Sequence, residues 1–447
     1  MRHSWRCGGT LLLLFSLFSV PGLAGQEIGG IDPRVARLLE GISAERLGQT
    51  IQRLAGFETR HTLSDTLSAT RGIGAARRWI FEHFRTASPR LQVSYDEYTV
   101  PEGGRITREV LLKNVMAVLP GRSARRLYVS GHYDTVARRA PGAGGGGGFD
   151  WSAGDLPAPG ANDDGSGTAL VMELARVFAQ SGLEFDATLV FIAFAGEEQG
   201  LLGATRHARQ AAAENWVIDG VLNNDIVGGI TSGNDRTDSR TVRVFAEGPE
   251  DSPSRLLARY ARGVAARYVP AHEVRIIARQ DRFGRGGDHT AFTQNGFPGV
   301  RFSEAMENYG RQHTVADTPN GVDPDYLARN AQVNAATLAS LALAPAAPRV
   351  LSQRGNQPTL GRGRGYDAAL RWTASPGAVA YRVVWRETMA PEWQFERVVQ
   401  RDTTLTLPDI SIDDYVFGVA AIGPGGHQST VAAYVNPPRR PTPGPAR

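Results

Sequence analysis

Five short stretches of this 447-residue chain bring histidine and carboxylate side chains to places where an apolar run gives way to a loop. GHYDTV carries His132 and Asp134, PGANDDGSG carries Asp163 and Asp164, AFAGEEQGLLG carries Glu197 and Glu198, LNNDIVGG carries Asp225, and ENYGRQHTVADT carries His313. Imidazole nitrogen and carboxylate oxygen in this number suit zinc. Asp134 is spaced to accept the imidazole proton of His132 and fix its tautomer, although an HxD pair alone is more often a surface or turn feature. A helix start favours one aspartate of NDDG as a cap, which leaves the second without that explanation. Adjacent glutamates on a turn diverge, so one can bind metal while its neighbour acts as a general base. The competing explanation is that both complement the dipole of the next helix. Asp225 follows the apolar VL, where a carboxylate is poorly solvated unless a cation meets it. Isolated histidines are usually structural or surface groups, and His61, His83, His207 and His427 are assigned to that class.

The elements that must position these residues follow a repeating plan. RRLYVSG, the helical SGTALVMELARVFAQ, ATLVFIAFA, the helical LLGATRHARQAA and VIDGVLNNDIVG read as strand, helix, strand, helix, strand. That alternation predicts an α/β fold with a mixed, largely parallel central sheet flanked by helices. LVFIAFA is apolar at nearly every position, as a strand covered on both faces should be. The first helix presents Leu170, Leu174, Val177 and Phe178 to that sheet. Ligands of open α/β sheets collect at the carboxyl ends of strands, which is where the five stretches fall. Residues 26–120 read as scaffold, with a helix around AARRWIFEHFRTA and a strand around LQVSYDEYTV. RRAPGAGGGGGFDWSAGDLPAPG is too rich in glycine and proline for a regular element. It reads as a disordered insertion in preference to a mobile lid carrying Trp151 as a contact.

Beyond the helical NAATLASLAL the pattern changes. APAAPRVLSQRGNQPTLGRG reads as a linker, and ALRWTA, AYRVVWRET, TTLTLP and DYVFGVAAI as short alternating strands of a small all-β sandwich. Trp372, Tyr381 and the run Tyr415, Phe417, Val419, Ala421 resemble a fibronectin type III module. The proline-rich end reads as an unstructured tail. At the other terminus Arg2 and Arg6 precede LLLLFSLFSV and the small residues of PGLAG, the pattern of a leader cut after Ala24. The expected division is a leader (1–24), a main domain (25–345), a linker (346–357), a β module (358–437) and a tail (438–447).

Cys7, the only cysteine, lies in the leader, so the mature chain would have neither disulfides nor thiolate ligands. Any metal must then sit on His, Asp and Glu. The net charge of +4 does not signal a nucleic-acid partner. The arginines are scattered, Lys113 is the only lysine, and no basic run is interleaved with aromatics. No stretch after the leader is long and apolar enough for a membrane span, so the expectation is a secreted or periplasmic protein without stable membrane association.

Taken in order, the five stretches resemble the dizinc aminopeptidase family of secreted bacterial leucyl aminopeptidases, whose relatives include glutamate carboxypeptidase and glutaminyl cyclase. The resemblance covers roughly residues 50–345 and fills every metal and base position. It implies that Asp163 bridges two zinc ions, with His132 and Asp225 completing one and Glu198 and His313 the other. It further implies Glu197 as general base, Asp134 as the partner that orients His132, and Asp164 as a non-ligand. Tyr309 is a candidate contact for the developing oxyanion. Asp288 and His289 of GGDHTAF match a family motif and are expected to support the site.

The implied activity is a zinc-dependent exopeptidase acting at the N-terminus of peptides. A carboxypeptidase on the same scaffold is the alternative, with Arg311, Arg282 or Arg285 as the cation for a terminal carboxylate. Glutaminyl cyclase is disfavoured because the Glu197, Glu198 pair and a second metal set are complete. A non-catalytic binding protein is more distant, since no ligand is missing. The β module is expected to contact an unknown surface or polymer, or to cap the enzyme.

Overall fold

A computed structural model describes residues 30–138, 148–279, 281, 285–350 and 359–435. The leader, most of the linker and the tail lie outside the described residues. Eight strands, β1 (Gln92–Val100), β2 (Val110–Leu119), β3 (Arg126–His132), β4 (Thr188–Phe194), β5 (Ile218–Asn224), β6 (Thr241–Phe245), β7 (Glu273–Ile277) and β8 (Gly299–Glu304), form one sheet. Their order is β1-β2-β4-β3-β5-β8-β6-β7. The centre β4-β3-β5-β8 is parallel, while β1, β2 and β6 make the antiparallel pairings.

Alternation in the central strands explains the two covered faces. Leu127 and Val129 of β3 and Leu189, Phe191 and Ala193 of β4 enter one core, while Tyr128, Val190, Ile192 and Phe194 enter the other. Successive side chains of a strand point to opposite faces, so a continuous apolar run serves both layers. On the first face lie α1 (Pro33–Glu40), α2 (Ala44–Ala55), α3 (Gly72–Ala87), α4 (Gly165–Gln180), α6 (Pro253–Tyr268) and α8 (Pro324–Leu343). On the second lie α5 (Leu202–Ala213) and α7 (Asp288–Gln294). Leu170, Leu174, Val177 and Phe178 are buried, and so is nearly all of α4, because helices cover its other side.

The chain leaves β3 through α4 to reach β4 on one side, then crosses through α5 to β5 on the other. Loops diverging in this way open a crevice at the carboxyl ends of β3, β4 and β5. The α/β architecture and the mixed, largely parallel sheet agree with the sequence reading. β2, β6, β7 and β8 were not anticipated as strands.

The C-terminal region holds two antiparallel sheets. β10 (Ala368–Arg371) lies between β13 (Thr404–Leu407) and β9 (Leu360–Gly361). The other sheet runs β12 (Phe395–Gln400), β11 (Ala380–Glu387), β14 (Tyr415–Ile422), β15 (Ala432–Ala433). They share a core of Leu370, Trp372, Tyr381, Val383, Phe417, Val419 and Ala421. This region is fastened to the larger one by polar contacts. Arg386 Nη2 meets Asp251 Oδ2 at 2.6 Å, His427 Nε2 lies 2.9 Å from Asp32 Oδ2, and the Tyr260 hydroxyl donates to the Gln428 carbonyl at 2.9 Å.

Candidate metal centre and cleft

All five stretches meet at the carboxyl ends of the central strands. His132 ends β3, Asp163 and Asp164 precede α4, Glu197 and Glu198 follow β4, and Asp225 follows β5. His313 arrives from the loop after β8 with φ of 56°. Ligand atoms of His132, Glu197 and Asp225 lie within 4.8 Å of one another, and so do those of Asp163, Glu198 and His313. Asp163 joins the two groups. Its Oδ1 is 3.4 Å from His132 Nε2, and its Oδ2 is 3.0 Å from His313 Nε2. Glu198 Oε2 is 3.2 Å from His313 Nε2, and Asp225 Oδ1 is 3.8 Å from His132 Nε2.

Four buried or nearly buried carboxylates facing two imidazoles form an anionic nest. Burial pushes Glu197 well above the ordinary carboxylate range; His132 opposes this, and the Asp225, Glu198 and Asp288 carboxylates add to it. Burial works against a charged His313, yet Glu198 and Asp163 draw it up to about 11. Burial also resists ionisation of Asp225, and Arg301 and His132 outweigh it, holding that carboxyl below its usual range. Glu198 Oε1 is buried with no hydrogen-bond partner among the described residues. An unpaired oxygen in so dense a set of anions needs a cation. Nitrogen and oxygen donors in two adjoining groups fit a pair of zinc ions.

The supporting contacts separate the two aspartates of NDDG. Asp164 accepts the amides of Gly167 at 2.8 Å, His132 at 2.9 Å and Ile226 at 3.3 Å, so it caps α4 and ties the ends of β3 and β5 to it. Asp163 is left for the centre. Asp134 behaves differently from the spacing argument. Its carboxylate is 3.6 Å from His132 Nδ1, whose nearer acceptor is the Asp134 backbone carbonyl at 3.1 Å. The carboxylate instead accepts the amides of Glu197 and Glu198 at 3.1 and 3.2 Å, fixing the turn on which that pair sits.

Sequence reasoning missed other supports. Asp317 accepts the amides of Asn162 and Asp163 at 3.0 and 2.9 Å. Its position four residues after His313 in the same loop was the available signal. Arg60, fully buried, donates to the carbonyls of Leu54, Tyr133, Pro159 and Gly160. It lies in a stretch read as scaffold and gave no signal. Arg301, also fully buried, sets its Nε 3.1 Å from Asp225 Oδ2 and pairs with Asp281. Asp288 and His289 are buried beside the centre, with no side-chain hydrogen bond among the described residues.

The centre forms the floor of a cleft of about 620 Å³. One wall holds Ile226, Arg285, Gly286, Arg301 and Gln312; the other holds Arg105, Arg138, Phe149 and Trp151, and Tyr309 lies at the rim, 57% exposed. Residues 139–147 lie outside the described residues. The rest of the glycine-rich stretch, however, is built into the site, which corrects the expectation of a disordered insertion. Phe149 stacks on Trp151 at 4.9 Å and meets the His313 ring edge-on at 5.4 Å. Arg105 and Arg138 lie over Trp151 and Phe149 at 4.6 and 4.9 Å. The aromatic contacts supply the packing that the composition hid. Of the cations named for a terminal carboxylate, Arg285 lines the cleft, Arg311 bonds Asn320 outside it, and Arg282 lies outside the described residues.

The histidines set aside as structural are so used where their contacts are visible. His207 bonds Asp96 at 2.8 Å and the Tyr128 hydroxyl at 3.1 Å, and His427 bonds Asp32.

Residues 114–338 match the model of peptidase family M28. The chain is 38% identical over 435 residues to a probable zinc metalloprotease of Pyrenophora teres f. teres, covering 89% of this chain and 86% of that protein. It is 37% identical to a probable zinc metalloprotease of Pyricularia oryzae, covering 87% of this chain and 82% of that one. Among solved structures it resembles the LapA aminopeptidase of Legionella pneumophila, with a TM-score of 0.55 and 20% identity over 72% of this chain and 78% of that one. Porphyromonas gingivalis glutaminyl cyclase is also similar, with a TM-score of 0.50 and 17% identity over 67% of this chain and 98% of that one. These structural likenesses establish the fold, which both activities share.

Proposed function

Since the chain belongs to peptidase family M28 and is a zinc metallopeptidase, we propose that it is an exported aminopeptidase with two zinc ions, releasing residues from the amino terminus of peptides. The observation that carries this reading is Asp163, with one carboxylate oxygen facing His132 and the other facing His313. His132 and Asp225 would complete one ion, and Glu198 and His313 the other. A pair of zinc ions held by these residues would supply Lewis-acid polarisation of the scissile carbonyl and a lowered pKa for water at the site.

The protein's own groups do the rest. Glu197 is the more open of the two glutamates, its side chain 14% exposed against 7% for Glu198, which suits a base that must meet water. It takes a proton from the attacking water and delivers it to the departing amine. Asp134 positions Glu197 through its backbone amide. Tyr309, which lines the same cleft, would donate to the carbonyl oxygen as charge develops. Export rests on the leader pattern of residues 1–24.

Arg285 in the wall gives the carboxypeptidase reading its one specific support. A free peptide, its acetylated form and its amidated form decide between them. An aminopeptidase is blocked by acetylation and indifferent to amidation, and the reverse pattern overturns the proposal.

A further inference from the structure

The two walls of the cleft differ in burial. On the Asp225 side Ile226 and Arg301 are almost fully buried, whereas Arg105 and Arg138 on the opposite side are exposed. A terminal residue needs a closed end, and the remaining peptide needs an exit. If the aminopeptidase reading holds, the first side chain of the substrate enters at Ile226, Arg285, Arg301 and Gln312.

That closed end is cationic. Arg243, Arg285 and Arg301 share the carboxylates of Asp281 and Glu307: Arg243 and Arg285 pair with Glu307, Arg301 pairs with Asp281, and Arg285 Nε lies 3.5 Å from Asp281. Arg301 turns its Nε toward Asp225. With Asp225 committed to a metal ion, the guanidinium groups of Arg243, Arg285 and Arg301 share the two carboxylates of Asp281 and Glu307 among the described residues. Arg285 is the accessible member, its side chain 18% exposed where it lines the cleft. Leucine or phenylalanine entering here would strip water from the open part of Arg285, whose carboxylate partner Glu307 is shared with Arg243, at a desolvation cost. A carboxylate would accept a charge-assisted bond from it.

We propose that this subsite selects an acidic first residue, glutamate or aspartate, and that Arg285 is the residue that recognises it. The proposal rests on the aminopeptidase reading. The test uses the full zinc-loaded chain with p-nitroanilides of Glu, Asp, Gln, Leu and Lys, and calorimetric titration with free L-glutamate and L-glutamine. The expected result is kcat/KM for Glu at least tenfold above Gln and Leu, with the same order in the calorimetric affinities. Arg285→Met should bring the Glu-to-Gln ratio close to one, and Arg285→Lys should restore part of it. If Arg285→Met does not fold, the wild-type panel still decides. Turnover of Leu or Gln at or above that of Glu overturns the acidic subsite and leaves the aminopeptidase reading standing. Release from carboxyl ends only, with every free-amino anilide inert, overturns both.

Discussion

Glu197 and Glu198 are neighbours in sequence with opposite assignments, and their surroundings give each a separate test. Glu198 Oε2 sits beside His313 while its Oε1 is buried without a partner among the described residues, the situation of a ligand. Glu197 faces the cleft. Replacing Glu197 by glutamine should leave about two zinc ions per chain by metal analysis and lower kcat by roughly 10²–10⁴-fold, the usual contribution of a general base. Substantial remaining turnover would remove Glu197 from the mechanism. Asp163→Asn strikes the joint between the two groups, so it should lower the zinc content of both sites together. Loss of a single ion would show that the sites fill independently.

Elements bring these residues together only because their loops are tied. Arg60, in the loop after α2, holds the carbonyl of Tyr133 beyond β3 and those of Pro159 and Gly160 before α4. The strand end bearing His132 and the loop bearing Asp163 are thereby fixed to one guanidinium. Arg60→Met leaves the carbonyls of Tyr133 and Pro159 without their donor, while those of Leu54 and Gly160 keep the amides of Phe57 and Gly165. At roughly 1 kcal/mol for each unsatisfied group, the expected loss is about 2 kcal/mol in chemical denaturation, with weakened zinc binding. Stability lost with zinc affinity unchanged would make Arg60 a scaffold residue alone. The β4–α5 turn depends in a similar way on Asp134, which accepts both of its glutamate amides.

At the scale of the molecule, the centre and the C-terminal region lend themselves to two measurements. Metal binding to the native state alone stabilises it by mass action, about 2.7 kcal/mol when free zinc is a hundredfold above Kd. Chelation should therefore lower Tm, and zinc should restore it. The contact between the two regions carries a proton linkage at His427. Burial holds His427 below its ordinary value despite Asp32 beside it. A histidine depressed in the folded state contributes stability that is present above its unfolded pKa, about 6.5, and is lost as pH falls through the folded pKa. Tm should thus fall more steeply below pH 6.5 in the native protein than in His427→Gln. Identical slopes would show that His427 does not carry the linkage.

The five stretches were legible because each carries its chemistry within a few residues, and those of His132, Glu197 and Asp225 stand where an apolar strand stops. The α/β alternation was legible because a strand covered on both faces must be apolar throughout, as β4 is. β6 and its partners β7 and β8 were not, being five or six residues long and without one clean pattern. Nor did sequence place Phe149 between Trp151 and His313, since an aromatic inside a glycine-rich run shows its partner only after the chain has closed on itself. Sequence by itself determined the ligand types, their order and the sheet that presents them. Tertiary structure decided what Asp164 and Asp134 hold. It also decided which arginines reach the cleft. Those are matters of distance between residues far apart in the chain, and local spacing does not encode them.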